Sequence, residues 1–373
     1  MLSPTTPLIS PRLAAIEHAR RTVMHEHAAL PAGGVAPWVE RSWQRCIDMG
    51  LRPHDPVMFN MVSSQHALRT QEANQHLVQT AKPVLENLGR AIVNTRYFTI
   101  LTNSDGVVVD VSGLIDRSDP RANNITRIGA DLSERNMGTT AIGAALRELE
   151  PVWLHRGEHF FADTSIYSCA GAPLFGPDGS CVGMLDLTGI EAAERPELKH
   201  LVTQSACKIE NALVLAQPHQ LLVRLNWPGN NLGSDADGLL CLDADGCITG
   251  ANPAARQMVP NLATLPVQNA HISDLFGMPY HLLFDAARRP DARLEIPLWN
   301  GLRLQALSIQ RAYEASTPAA ELRVRVCDAL PLKELETALI RKAVDQARGN
   351  VAEAARALGI SRATVYRKLA NPK

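Results

Sequence analysis

The chain has 373 residues, enough for two or three domains, and at 46% hydrophobic and 20% charged it has the composition of an ordinary soluble protein. A net charge of −1 is silent about partners, but residues 331–373 hold nine Lys/Arg against four Asp/Glu, a local +5 that leaves −6 on the rest. With no run of eighteen apolar residues, no cleavable leader pattern, no CxxC and seven scattered cysteines, the sequence argues against a membrane span, a disulfide framework and structural zinc, and predicts a cytoplasmic protein.

Taken in order, Arg12–Leu30 reads as a helix. Val39–Leu51 (VERSWQRCIDMGL) reads as a second, with Trp43 and Ile47 on one face at i, i+4. Ser63–Val93 is a further long helical region. At Tyr97–Gly113 the period changes: two β-rich runs flank Asp105-Gly106, which predicts a hairpin. Then come the helical run Glu134–Leu146 (ERNMGTTAIGAAL), a short strand Pro151–Leu154, a polar loop His155–His159, strands Tyr167–Leu174 and Cys181–Leu187, and an amphipathic helix Glu197–Leu215. This order predicts an antiparallel α+β domain over residues 95–216, preceded by a helical region over 1–94.

Pro218–Pro228 reads as a linker. Beyond it, GLLCLDADGCITGANPAARQM repeats the hairpin logic around Asp245-Gly246. Asn252-Pro253 then supplies an N-cap and a first helical proline. Arg293–Pro297, Leu302–Gln310 and Glu321–Cys327 are three more strand candidates, giving a second five-stranded domain over 217–330. Leu332–Arg348 is a long helix. After it, GNVAEAARALGISRATVYRKL reads as two short helices about a tight turn at Gly359. Ser361 caps the second, Ile360, Val365 and Leu369 face a core, and Ala355 is small enough for close helix contact.

These stretches carry a resemblance. The last one, with its GN, AA, LGISR and YRKL, closely resembles the DNA-binding domain of the Fis family, which ends many bacterial enhancer-binding activators. The SW-RC---GL run of the second helix resembles the segment that precedes the sensor domain in acetoin-catabolism-type activators, and ERNMGTTAIGAAL, Pro151–Trp153 with Glu158–Phe160, CAGAPLF and GMLDLTG resemble the GAF sensor domain of the same activators. That family usually carries Asn where Thr140 stands. The strand–hairpin–Asn–helix opening at Gly238 resembles a PAS domain. The resemblance implies an α+β multidomain protein: GAF and PAS-like antiparallel-sheet sensor domains and, over 331–373, an all-α helix-turn-helix domain.

Carried over residue by residue, it implies phosphate or base contacts to double-stranded DNA from Asn350, Ser361, Thr364, Arg367 and Lys368. Arg362 would be the reader of guanine O6/N7. The family often has a polar residue where Ala352 stands. Thr139, Trp153, His159, Phe160 and Cys169 are the candidates for a GAF pocket holding a small-molecule effector; as ordinary residues, Trp153 and Phe160 are core, His159 sits on a surface loop and Cys169 is a buried small hydrophobe. Activators of this group place an ATPase module between sensor and tail. Here no G-x-x-x-x-G-K-S/T occurs, since Gly138–Gly143 is followed by Ala144-Ala145. The expected function is therefore a ligand-responsive, homodimeric, sequence-specific DNA-binding regulator working without ATP hydrolysis, through RNA polymerase or another regulator. The alternative is a sensor and dimerisation protein that modulates a full-length ATPase-containing activator. No catalytic constellation, cofactor or metal is implied.

Overall fold

The computed structural model describes residues 11–24, 26, 34–59, 62–264, 270–289 and 291–310, together with Val344, Val351, Ala355 and Val365. Met1–Arg311 is one compact unit and Ala312–Lys373 a second.

The first unit opens with helices α1 (Pro11–Met24) and α2 (Pro37–Asp48). The long helical region splits into α3 (Ser64–Ala73) and α4 (Gln75–Ala91), because Asn74 leaves helical geometry and closes α3 as its C-cap. A five-stranded antiparallel sheet follows, built from β1 (Tyr97–Asn103), β2 (Val108–Ser112), β3 (Val152–His155), β4 (Tyr167–Phe175) and β5 (Cys181–Ile190) in the order β2-β1-β5-β4-β3. Gly106, at φ +81, turns the predicted hairpin. Between β2 and β3 lie α5 (Pro120–Ile125), α6 (Glu134–Met137) and α7 (Ala141–Glu148). The predicted continuous run Glu134–Leu146 is thus broken. Gly138 takes φ +61, and Thr140 starts α7 by accepting the Gly143 N–H at 3.1 Å.

Strand alternation gives this sheet two different faces. Leu185, Leu187, Ala170, Ala172 and Leu101 pack with Leu85, Leu88 of α4 and Val202, Ala206, Ile209 of the long helix α8 (Leu198–Leu215). Met184, Cys169, Tyr167 and Ile100 face α5–α7.

The second sheet contains β6 (Leu221–Asn226), β7 (Gly238–Leu242), β8 (Ile248–Ala251), β9 (Arg293–Pro297) and β10 (Arg303–Gln310), ordered β8-β7-β6-β10-β9. Helices α9 (Pro253–Met258), α10 (Pro260–Thr264) and α11 (His281–Ala287) join its halves. Asn252 caps α9 by accepting the Ala255 N–H at 2.8 Å, as the Asn-Pro pair predicts. The supposed linker Pro218–Pro228 is corrected here: its Leu221–Asn226 is the central strand of this sheet. Leu221, Val223 and Leu225 face the domain's own core, while on the other face Leu222 packs against Val214 of α8 and Arg224 and Asn226 donate to Asp237. Glu321–Cys327 lies outside the described residues.

In the second unit Val344, Val351, Ala355 and Val365 are helical. Ala355 and Val365 are buried together, with Val344 and Val351 packed against them.

Candidate functional site

The α5–α7 side of the first sheet borders a small cavity of about 30 Å³. Its floor is Ile100, Tyr167, Cys169, Asp186 and Thr188, all of one strand parity. Its roof is Ile125, Leu132, Met137, Thr140, Ala141 and Ile142, closed at one end by His159 and Thr164. Gly171 lets α7 lie this close, since a Cβ there would come within 3.1 Å of the Ala141 carbonyl and 2.6 Å of Met184 Cε.

Two polar groups break the apolar lining. Asp186 is 0% exposed. Its Oδ2 accepts the Thr188 hydroxyl, while Oδ1 has no partner. Burial pushes this carboxyl up to about 7, against the opposing Thr188 hydrogen bond. His159 is 1% exposed and, through burial, held down to about 4, so its ring is neutral near pH 7. Its Nδ1 lies 2.9 Å from the Arg156 carbonyl. A carbonyl only accepts, so Nδ1 carries the proton and the unpartnered Nε2 is an acceptor. The cavity therefore presents one acceptor and one carboxyl that changes between donor and acceptor near neutrality, in a setting where an unmet polar atom costs roughly 1–3 kcal/mol. That suits a small uncharged molecule with hydroxyl or carbonyl groups. It does not suit nucleophilic chemistry: the Cys169 thiol is raised far above its ordinary value by burial, and its partner, at 3.5 Å, is the Thr188 hydroxyl.

Of the five residues singled out from sequence, His159 and Cys169 line this cavity. The predicted surface loop carrying His159 is corrected: Arg156–Glu158 is a 3-10 turn, and Glu158 and His159 are both buried. Thr139 faces α2, with its hydroxyl 2.8 Å from Ser42 Oγ and 3.6 Å from Cys46 Sγ. Phe160 packs against Trp43 and Ala19 of the N-terminal helices. Trp153 points to the opposite face of the sheet, among the α4 and α8 side chains. Asp186 and Thr188 were missed, although the signal was present: a carboxylate and a hydroxyl share parity inside the apolar strand MLDLTG.

Helices α1 and α2 bracket the cavity from outside. The Arg20 guanidinium donates to the carbonyls of Gly157 (2.9 Å), His159 and Phe160 (3.0 Å). Trp43 Nε1 donates to the Glu158 carbonyl at 2.9 Å. Arg45 makes a two-pronged contact with Glu134, 2.9 Å on each prong, and reaches Glu148 at 2.9 Å. Those hydrogen bonds to Glu134 raise the Arg45 guanidinium above its usual value.

The DNA-contact candidates Asn350, Ser361, Arg362, Thr364, Arg367 and Lys368 lie outside the described residues. Among the described residues no cluster of three or more His, Cys, Asp or Glu could hold a metal, and no helix is long and apolar enough to cross a membrane.

Two known families match the chain: "MimR, N-terminal domain" over residues 14–211, and "Bacterial regulatory protein, Fis family" over 331–371. An acetoin catabolism regulatory protein of Cupriavidus necator is 28% identical over 78% of this chain and 46% of its own length. The propane 2-monooxygenase operon transcriptional activator MimR of Mycolicibacterium goodii is 29% identical over 50% of this chain and 31% of its own. The chain thus spans less than half the length of these relatives. Among solved structures, the Escherichia coli DhaR(N)–DhaL complex aligns with a TM-score of 0.44 at 14% identity, over 74% of this chain and all of that one.

Proposed function

The chain belongs to the MimR N-terminal domain family, and on that premise we propose that it is a homodimeric, ligand-responsive transcriptional regulator that binds DNA in sequence-specific fashion without hydrolysing ATP. Residues 95–216 receive a small effector, 217–330 form a second sensor-like domain, and 331–373 bind DNA. The observation that carries the sensing half is the pair of buried, unpartnered polar atoms, His159 Nε2 and Asp186 Oδ1, facing one apolar cavity. The Fis-family match over 331–371 supports the DNA half. The effector class is a small neutral hydroxy or carbonyl compound, and acetoin is the natural first probe, given the Cupriavidus relative's name.

The test is calorimetry of the full chain with acetoin, followed by footprinting of its own upstream region with and without it. Binding that depends on Asp186, and a footprint that moves with the ligand, are expected. A footprint indifferent to acetoin and to other small ketones and diols sinks the sensing role. Arg362→Ala is expected to weaken operator binding by roughly 1–3 kcal/mol and relax specificity, and an unchanged gel shift refutes its role as base reader. A second reading has one observation in its favour: no P-loop lies between the two matched regions. In that reading it modulates a full-length ATPase-containing activator. Loss of regulation only in cells that hold such an activator distinguishes the two.

A further inference from the structure

We propose that helices α1 and α2 are a brace that reads whether the cavity is filled, with Arg20 and Arg45 as its positioning residues. The inference rests on the reading that this cavity receives an effector.

Besides Ile125 and Leu132, the wall opposite the sheet consists of two stretches, Met137–Ile142 and His159–Thr164. Both are held from outside by the same two helices. Four successive carbonyls, Gly157 to Phe160, accept from Arg20 or Trp43. The ring of Trp43 lies 5.9 Å beneath the Arg20 guanidinium, so one unit holds all four. On the other stretch, Arg45 ties the start of α6 through Glu134 to the end of α7 through Glu148, and Ser42 meets Thr139 in the turn between them. The two stretches are also tied to each other, by the Phe160 N–H and the Thr139 carbonyl at 3.3 Å.

Charged donors in a mostly buried setting have a narrow range of good geometry. A molecule bound at His159 Nε2 has to move the carbonyls that Arg20 grips, and one lifting Met137 and Ile142 has to move the segment that Arg45 ties through the Glu134 and Glu148 carboxylates. Occupancy of the cavity and docking of the brace therefore share a free energy, and the sharing is reciprocal. Phe160 and Phe161, buried against Ala19, Val23 and Trp43, give the brace an apolar seat that turns such a movement into a change in how α1 and α2 pack.

The experiment is hydrogen–deuterium exchange on the full chain: wild type with and without acetoin, Asp186→Leu, Arg20→Met and Arg20→Lys. Acetoin should change exchange in α2 by about 5- to 150-fold. Arg20→Met should change acetoin affinity by the same factor, and Arg20→Lys should restore part of it. If acetoin binds and exchange in α1 and α2 does not move, the brace is only scaffolding. If acetoin does not bind, that outcome counts against the effector reading, and Asp186→Leu decides the brace. This substitution sits on the sheet, away from both helices, so altered exchange in α2 supports the coupling and unaltered exchange overturns it.

Discussion

The first unit has one aspartate on the first sheet and one beside the second that are 0% exposed, and the two are treated differently. Asp237, beside β7, has every oxygen engaged. It accepts from Arg224 (3.2 Å), Asn226 (3.0 Å), the Gly233 N–H (2.6 Å) and Ser234 (3.1 Å). Asp186, on β5, has the Thr188 hydroxyl on one oxygen and nothing on the other, which faces the cavity. A buried carboxylate with a full set of donors fixes a loop in place; one with an unpaired oxygen is poorly satisfied and leaves an acceptor to be met. The second sheet interrupts its inner side with one buried hydroxyl, Ser308, and the first with Asp186 and Thr188.

The sharpest way to break this contrast is to remove each carboxylate. Asp237→Leu takes the carboxylate from Arg224, which keeps only the Ser234 carbonyl, and removes the acceptor of three other donors, so it should cost roughly 3–5 kcal/mol of stability in urea denaturation. Asp186→Leu removes a group that is already poorly satisfied. It should change stability by no more than about 1 kcal/mol at pH 7 while abolishing effector binding. Equal losses in the two variants would mean that Asp186 is as structural as Asp237. A smaller effect tests the second sheet itself. Leu225→Ala, on its central strand, should cost roughly 2–5 kcal/mol, where a linker position would fall within about 0.5 kcal/mol.

That last position shows where the sequence was readable and where it was not. Strands with a turn between them announced themselves: Asp105-Gly106 and Asp245-Gly246 each sit between runs of alternating or apolar residues, and both hairpins are present. Strand β6 has no hairpin partner adjacent in sequence on its N-terminal side and lies between Pro218 and Pro228, so its punctuation is that of a loop. What makes it a strand is non-local pairing with β7 and β10, the latter some eighty residues on, which no local window contains. The strand orders carry a related lesson. Numbered within each domain, the first sheet runs 2-1-5-4-3 and the second 3-2-1-5-4, the same order with the strand that comes last in one coming first in the other. In the candidate site, His159 and Cys169 were legible as residue types that bind. Thr139 and Phe160 could not be separated from them, because facing the cavity or facing α2 depends on a helix more than ninety residues upstream.

The last expected effect is a slope, and it follows from the two groups that line the cavity. Asp186 titrates at about 7 in the folded chain and about 4 unfolded, so between those values the folded state holds the extra proton. Its contribution to stability is full below about pH 4 and is lost as pH rises towards 7. His159 has the opposite sign. Its folded value of about 4 lies below the unfolded value of about 6.5, so its contribution is full above about 6.5 and is lost as pH falls towards 4. Over roughly pH 4.5–6.5 the two slopes cancel, each being about 1.4 kcal/mol per pH unit. Glu210, also raised by burial to about 7, adds a falling slope in any variant that retains it, so the difference between proteins is the quantity to read. Asp186→Leu should therefore gain stability relative to wild type as pH rises from 4.5 to 6.5, at up to ~1.4 kcal/mol per unit. Urea midpoints at several pH values measure this directly. If the two proteins run parallel across that range, Asp186 is already ionised in the fold, and the cavity offers a permanent anion rather than a group that can donate a hydrogen bond to an uncharged ligand.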